Sequence, residues 1–411
     1  MIMSLVSANL CVVDSSSGTA ASQRGDLSLD IVRDVAGFHA LQPFWDVLVD
    51  QMSTRSPFLR WDWVSLWWEE CRQDAQLVIA VLRDAGGVPQ AIAPLMLARE
   101  PDKARKHLLT LTFLGGFGHA HGERLDLMVP AGREEELTPQ LCRVFKLMRS
   151  ECDNVRLNHL PEESPNTRHL LVVLAEAYQG AGVLNRHACR FIHLPSSWAD
   201  FEARHSSNWR NLLRRRCKAF TGQHAGVDTL AGERISTGEA MAKFRVLHGM
   251  QWPEGVSSFT TNDSWNFHQR LVERWIPQQR TLMPILEADG QVIAVLYGFI
   301  ERGEFFHYQT GWAQSFAKIS PGKLVMRCSV DASIQRGLQV YDMLSSDYSY
   351  KRQWCDGVRW LLDLEAFNPA SWRATAFQTL RALRRWFPSR SEANPSTDTQ
   401  EEHDQALRPV V

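Results

Sequence analysis

The stretch that decides the fold is 282-LMPILEADGQVIAVLYGFIERGE-304, continued by 304-EFFHYQTGW-312. It reads as a strand, a tight Gly-containing turn and a longer strand bearing Ile293-Ala294, then a third strand. In that third strand, alternation sets Phe305, His307 and Gln309 on one side and Phe306, Tyr308 and Thr310 on the other.

The same design stands earlier, in 76-QLVIAVLRDAGGVPQAIAPLMLARE-100, where Ile92-Ala93 precedes Ile293-Ala294 by 201 residues (92 to 293). Upstream, 38-FHALQPFW-45 echoes 244-FRVLHGMQW-252, and 58-FLRWDWVSLWW-68 echoes 259-FTTNDSWNFHQRLVERW-275. Downstream, 113-FLGG-116 echoes 308-YQTGW-312. Similar offsets across four elements point to duplication of one α/β unit. In the second copy the series closes with a helix over 321–336, strand 339-QVYDML-344, a turn around 346-SDYSYKRQW-354 and strand 360-WLLDLEAF-367. Helical and strand patterns alternate throughout, which argues for an α/β or α+β fold. A basic helix, 198–220, joins copy one (27–190) to copy two (191–370). Residues 1–26 read as a flexible leader rather than a signal peptide, because no basic residue precedes the apolar start. Residues 388–411 read as a disordered polar tail.

Composition bounds the function. Of 411 residues, 44% are hydrophobic and 22% charged, with a formal net charge of −1, so any basic function is local and nucleic acid is not expected. Eight cysteines are scattered without a C-x-x-C pair, which fits a reducing cytoplasm. No stretch approaches 18 uncharged apolar residues, the length of a membrane span. Fifteen tryptophans, many in runs such as 61-WDWVSLWW-68, read as aromatic core or groove lining.

The two copies differ at one helix start. Copy one opens its helix with Glu134, Glu135 and Glu136, the acidic first turn that the helix dipole favours. Copy two opens the equivalent helix with 320-SPGKLVMR-327, placing Lys323 and Arg327 where anions are normally preferred. Gly322 lets backbone N–H groups approach a ligand, and a pyrophosphate there would offset the misplaced positive charge. A solvated Pro-Gly helix start is the plainer alternative.

The run IAVLYGFIERGEFFHYQTGW (293–312), followed by SPGKLVMRCSVDASIQRGLQVYDM (320–343) and YSYKRQW (348–354), resembles the GNAT acyltransferase core. More narrowly it is similar to the acetyltransferase domain of CelD-type, BioF2-like proteins, which are related to the Fem peptidyltransferases. The resemblance covers roughly 190–370, with the first copy a degenerate partner. It implies tandem GNAT-like domains, each a mixed, mostly antiparallel central sheet flanked by helices. It implies acetyl-CoA or another acyl-CoA as co-substrate. The cofactor-binding set would be Gln309, Gly311, Ser320, Gly322, Lys323 and Arg327, with free amides near 309–311 stabilising the thioester oxyanion. The catalytic set would be His307, Asp347, Tyr350 and Lys351. His307 is a base by intrinsic pKa or else a satisfied half-buried histidine, and Tyr348 or Tyr350 would protonate the departing thiolate. Where the family has glycine before the acid preceding Tyr-Lys, this chain has Ser345-Ser346-Asp347.

Three further features stay open between alternatives. His119 and His121 with Asp126 lack a third ligand set, so no metal is expected, and their Gly-rich loop reads as lining of the substrate cleft. In 209-WRNLLRRRCK-218 the arginines wrap around a helix, which suits a solvated linker or contact with an anionic acceptor such as a nucleotide-sugar or polysaccharide precursor. Residues 371–387 form a basic amphipathic helix that either docks on the protein or rests on an anionic membrane surface, which would keep a cytoplasmic enzyme at its inner face. The resulting expectation is an acyl-CoA-dependent N- or O-acyltransferase acting on a small-molecule or glycan-precursor acceptor of the cell envelope. A Fem-like aminoacyl-tRNA-dependent enzyme and a non-catalytic binding module are the alternatives.

Overall fold

The computed structural model describes residues 27–100, 102–118, 120–252, 259 and 261–386, so the expected leader, tail and Phe387 lie outside the described residues. Copy one runs β1 (Ser28–Val32), α1 (Val35–Ala40), α2 (Gln42–Gln51), α3 (Trp61–Cys71), β2 (Gln76–Arg83), β3 (Pro89–Arg99) and β4 (Leu109–Phe113). It continues through α4 (Glu134–Leu141), α5 (Arg143–Leu147), β5 (Asn154–Pro161), α6 (Asn166–Ala177) and β6 (Gln179–His193). Two helices follow, α7 (Trp198–Ala203) and α8 (Ser207–Gln223). They replace the single linker helix expected over 198–220, because Ser206 caps α8 by accepting the Trp209 N–H and so restarts the helix.

Copy two repeats the order: β7 (Val227–Leu230), α9 (Thr237–Gln251), α10 (Asn262–Trp275), β8 (Thr281–Leu282), β9 (Pro284–Ala288), β10 (Gln291–Glu301) and β11 (Glu304–Trp312). Then come α11 (Pro321–Gln335), β12 (Val340–Ser345), α12 (Ser349–Arg352), β13 (Gly357–Phe367) and finally α13 (Trp372–Trp386).

The strands form one mostly antiparallel sheet in the order β1-β2-β3-β4-β5-β13-β6-β12-β11-β10-β9-β7, with β8 also pairing β10. Its centre is an exchange. The last strand of copy two, β13, inserts beside copy one's β5, while the last strand of copy one, β6, pairs copy two's β12. The division expected between residues 190 and 191 therefore falls inside β6, which runs to His193.

Packing joins the copies on one face of the sheet as well. Trp63 of α3 is 1% exposed and meets the rings of Phe58, Phe267, Trp275, Phe299 and Tyr308 at centroid distances from 4.8 to 6.1 Å. The tryptophan-rich run is thus aromatic core at the α3–α10 seam, where large rings bury the most apolar area per residue. Charge reinforces it: Arg60 of copy one pairs with the buried Glu301 of copy two, which also takes Arg280 at 2.7 Å. Because both acid and base are buried, removing either one would leave an uncompensated charge.

The amphipathic helix expected over 371–387 is α13, but its apolar residues do not share one stripe. Ala374 is buried and Phe377 packs on Phe367, while Arg381 pairs with Glu365 at 2.7 Å. Trp372, Leu380 and Leu383 face outward, Trp372 at 75% exposure. Among the described residues no helix is long and apolar enough to cross a membrane, and the seven described cysteines are free thiols.

Candidate active site

β11 and β12 lie side by side in parallel, yet they pair only over Glu304–Phe306 with Val340–Asp342. Beyond those residues the strands part and leave a wedge. Two irregularities shape it. Tyr297 faces Gln309 while Gly298 faces His307, so Tyr308 is an extra residue bulged out of the β10–β11 ladder. On the other side Asp342 faces Phe191 and Ser345 faces Cys189, with Leu344 held at φ +55. The β11 bulge corrects the strict alternation expected for 304–312: the Thr310 hydroxyl lies 2.7 Å from His307 Nε2, on the side assigned to His307 and not on that of Tyr308.

A cavity of about 900 Å³ occupies this wedge. Its lining includes His307, Gln309, Thr310, Gly322, Lys323, Ser345, Ser346, Tyr348, Tyr350 and Lys351. Copy one supplies the opposite wall, including Trp67, Met96, Phe117, His121 and Glu123, so part of the Gly-rich loop borders the cavity.

At one end stands the start of α11. Ser320 takes the left-handed conformation at φ +57, a conformation non-glycine residues rarely adopt, and turns the chain into the helix. Lys323 N–H bonds back to the Ser320 carbonyl at 3.0 Å and Pro321 has no N–H, which leaves the amide of Gly322, a residue of the cavity wall, as the first-turn donor. The Lys323 ammonium is pushed down from its ordinary pKa by burial and by the charge of Arg216 from α8. A lysine within the electrostatic reach of an arginine thus stands at an amide-bearing helix start, the arrangement that anions of phosphate type satisfy. Arg216 belongs to the arginine run of 209–218, whose pattern does not single it out; its influence on Lys323 arises because α8 packs against α11.

At the other end Lys351 is 6% exposed, and its ammonium donates to the Met343 carbonyl and the Ser346 hydroxyl, each at 2.6 Å. Burial lowers its pKa. Across from it, the Glu123 carboxylate accepts both the Ser345 N–H and the Ser345 hydroxyl at 2.7 Å. Glu123 is the main residue missed in the sequence: it is only 8% exposed, and it reaches copy two's site from a loop of copy one. Tyr348 and Tyr350 stack at 6.0 Å, and burial pushes the Tyr350 phenol well above its usual range, so it stays protonated.

His307 lines the cavity but is saturated. Tyr341 donates its hydroxyl to Ser329 Oγ at 3.1 Å, so His307 Nδ1–H donates to Tyr341 Oη at 3.0 Å and Nε2 accepts from Thr310. Burial, with the Lys351 charge adding to it, drives the imidazole pKa down to about 3. A neutral ring with both nitrogens bonded is a poor base; it holds Thr310 and the bulge in place.

Four expected site residues lie off the cavity. Asp347 turns outward to Arg190 and Arg352, both at 2.6 Å, and the Arg190 hydrogen bond holds its carboxyl below the usual range. Arg327 lies over the Trp198 ring at 5.2 Å and pairs with Asp331 at 3.9 Å, one turn too far along α11 to face the wedge. Gly311 serves packing: a Cβ there would come within 2.8 Å of the His248 backbone nitrogen on α9. Ser320 contributes its backbone turn. The two histidines and the aspartate from which no metal was expected have separate surroundings as far as they are described. His119 lies outside the described residues, and Asp126 is buried with Ser164, Asn166 and Thr54, burial pushing its carboxyl up to about 6.

Copy one's wedge is closed. β4 and β5 pair only at Thr110–Asn154 and Leu111–Val155, but the returning loop fills the gap, with Leu125 N–H donating to His159 C=O at 3.1 Å. Its helix start is closed as well, since the Glu134 carboxylate accepts the Gly132 N–H at 2.7 Å.

Comparison with known proteins agrees with this reading of the fold. Residues 207–352 match the family model described as "Acetyltransferase (GNAT) domain". The structure is similar to the crystal structure of FemX at 9% identity and TM-score 0.53, covering 85% of this chain and 98% of that one. It is also similar to a tandem GNAT protein from the clavulanic acid biosynthesis pathway, at 14% identity, TM-score 0.48 and coverage of 84% and 100%. A third is the C-terminal domain of a putative lysylphosphatidylglycerol synthetase from Agrobacterium fabrum, at 12% identity, TM-score 0.48 and coverage of 82% and 94%. No curated protein matches the chain by sequence. The chain has a GNAT-type acyltransferase fold.

Proposed function

We propose that the chain is an acyl-CoA-dependent N- or O-acyltransferase of the CelD-type, BioF2-like kind, acting on an amine or hydroxyl of a cell-envelope or exopolysaccharide precursor. The observation that carries this reading is the open wedge of copy two, with Gly322 and Lys323 at one end and Glu123 and Lys351 at the other. The helix start and its cations hold the pyrophosphate. The thioester carbonyl lies along the bulged part of β11, where amides near Gln309 and Thr310 face the developing oxyanion. Glu123 takes the proton of the acceptor, and Tyr350, protonated at neutral pH, returns one to the thiolate. Lys351 offsets the negative charge between them. Acceptor and acyl donor enter from different copies, so the wall of Trp67, Met96 and Phe117 selects the acceptor.

Calorimetry with acetyl-CoA and longer acyl-CoA tests the reading; absence of binding to all of them, or full binding by Lys323→Glu, overturns it. The second reading, an aminoacyl-tRNA donor, draws on the exposed Arg214, Arg215 and Lys218 of α8. tRNA retained on the purified protein would favour it. The outward face of α13, with Trp372, Leu380 and Leu383 beside Arg373, is assigned to an anionic membrane surface. Equal sedimentation of the intact chain with anionic and neutral vesicles would remove that assignment.

A further inference from the structure

Outside the lining of copy two's cavity, behind the loop that carries His121 and Glu123, three side chains converge where β5, β13 and β6 lie side by side. One ring nitrogen each of His159 and His187 and one carboxylate oxygen of Asp363 all lie within 4.8 Å of one another. The closest pair, His187 Nε2 and Asp363 Oδ2, is 2.9 Å apart. Ligands around a tetrahedral zinc-like ion sit about 2.0–2.2 Å from the metal, hence roughly 3–4 Å from each other, so little movement separates this cluster from a coordination sphere.

The surroundings are those of ligands held for a metal. His159 Nδ1 lies 3.4 Å from the Gly122 carbonyl, a contact in which Nδ1–H donates and the Nε2 lone pair remains for an ion. Asp363 Oδ1 accepts the His159 N–H at 3.0 Å, and Oδ2 accepts from Asn185 at 2.9 Å. The carboxylate is thereby aimed from both sides. A third imidazole, His121, packs on His159 at 5.4 Å between centroids. Asp363 is nearly buried, whereas the His187 side chain is 32% exposed, so an ion has an entry path and a solvent-facing coordination position. Two imidazoles and one carboxylate suit zinc and its first-row neighbours better than magnesium or calcium, which prefer all-oxygen sets.

The geometry points to a divalent transition-metal site formed by His159, His187 and Asp363, with water at its open position. The site is independent of the transferase reading. Its donors come from β5 and β6 of copy one and β13 of copy two, so a bound ion ties together the strands that the copies exchange. His187 and Asp363 stand 176 residues apart, which is why no sequence motif announces them.

The test uses the untagged full chain, stripped with a chelator and dialysed, then titrated with Co²⁺ alone. The expected result is one Co²⁺ per chain with visible d–d absorption, displaced by Zn²⁺, and loss of that absorption in Asp363→Asn and His187→Gln. Should Asp363→Asn lose its fold, His187→Gln decides alone, since its side chain is the solvent-facing member. No stoichiometric binding by the wild-type chain at millimolar Co²⁺, or unchanged binding by His187→Gln, overturns the proposal.

Discussion

Copy one and copy two share an element order, a parted pair of parallel strands and a positive-φ residue at the parting, His159 at +56 in one and Leu344 at +55 in the other. They differ in what fills the gap. In copy one the chain's own loop bonds across it and a glutamate closes the following helix start. In copy two the gap holds a cavity and the helix start is cationic. The lesson is that a duplicated frame keeps its splayed strands as architecture, while only the unfilled gap leaves room for a ligand. The filled copy still has work to do, because its loop carries Glu123 into the open one.

That comparison breaks first at Glu123. Glu123→Gln keeps the shape and removes the proposed base, and is expected to lower the rate of thiol release in an acyl-transfer assay by about 10²–10⁴-fold. An unchanged rate would leave copy one with a structural part only. Trp63→Ala probes the seam and should cost about 3–5 kcal/mol, read from the urea midpoint, as expected for an aromatic lost from a packed core. A cost below 1 kcal/mol, roughly the level of surface substitutions, would mean the copies hold together through the sheet alone. Lys323→Glu makes the open copy's helix start resemble the closed one. By calorimetry it should weaken acyl-CoA binding by about 1.5–3 kcal/mol, the range for a hydrogen bond to a charged group.

The smallest effect is on pH. His307 has its pKa depressed to about 3 in the folded state against about 6.5 unfolded, so it contributes stability above pH 6.5 that is lost as pH falls toward 3. Between pH 7 and 5.5 this amounts to about 1 kcal/mol. His307→Gln should reduce the slope of that part of the urea-midpoint profile by its own share, the buried His248 and His268 keeping theirs, and an unaltered slope would show that the ring is solvated.

Much of this was legible in the sequence, and the omissions have physical causes. The Ile-Ala hairpins exposed the duplication because both lie in buried strands whose pattern is local. Ser-Pro-Gly-Lys exposed the helix start because proline at the first helical position is a local signal, although Ser320 makes no side-chain cap. The bulge at Tyr308 was hidden, since one extra residue in a ladder leaves the apolar pattern intact and only shifts which side chains meet. Asp347 and Lys351 are four residues apart, yet one faces solvent arginines and the other the cavity, a matter decided by the short α12 and by Arg190 on β6. Glu123, Arg216 and the exchanged strands depend on pairings between distant parts of the chain, where sequence carries no spacing to read.

The exchange of β6 and β13 also governs when the protein can form. During synthesis β5 emerges long before its neighbour β13, which ends at Phe367, so copy one waits with an unpaired edge until nearly the whole chain is made. Sequence-distant pairing of this kind slows folding and exposes sticky edges in the interval. A chain truncated after copy one would therefore keep β5 as an open sheet edge, because the strand that covers it comes from the far end of copy two.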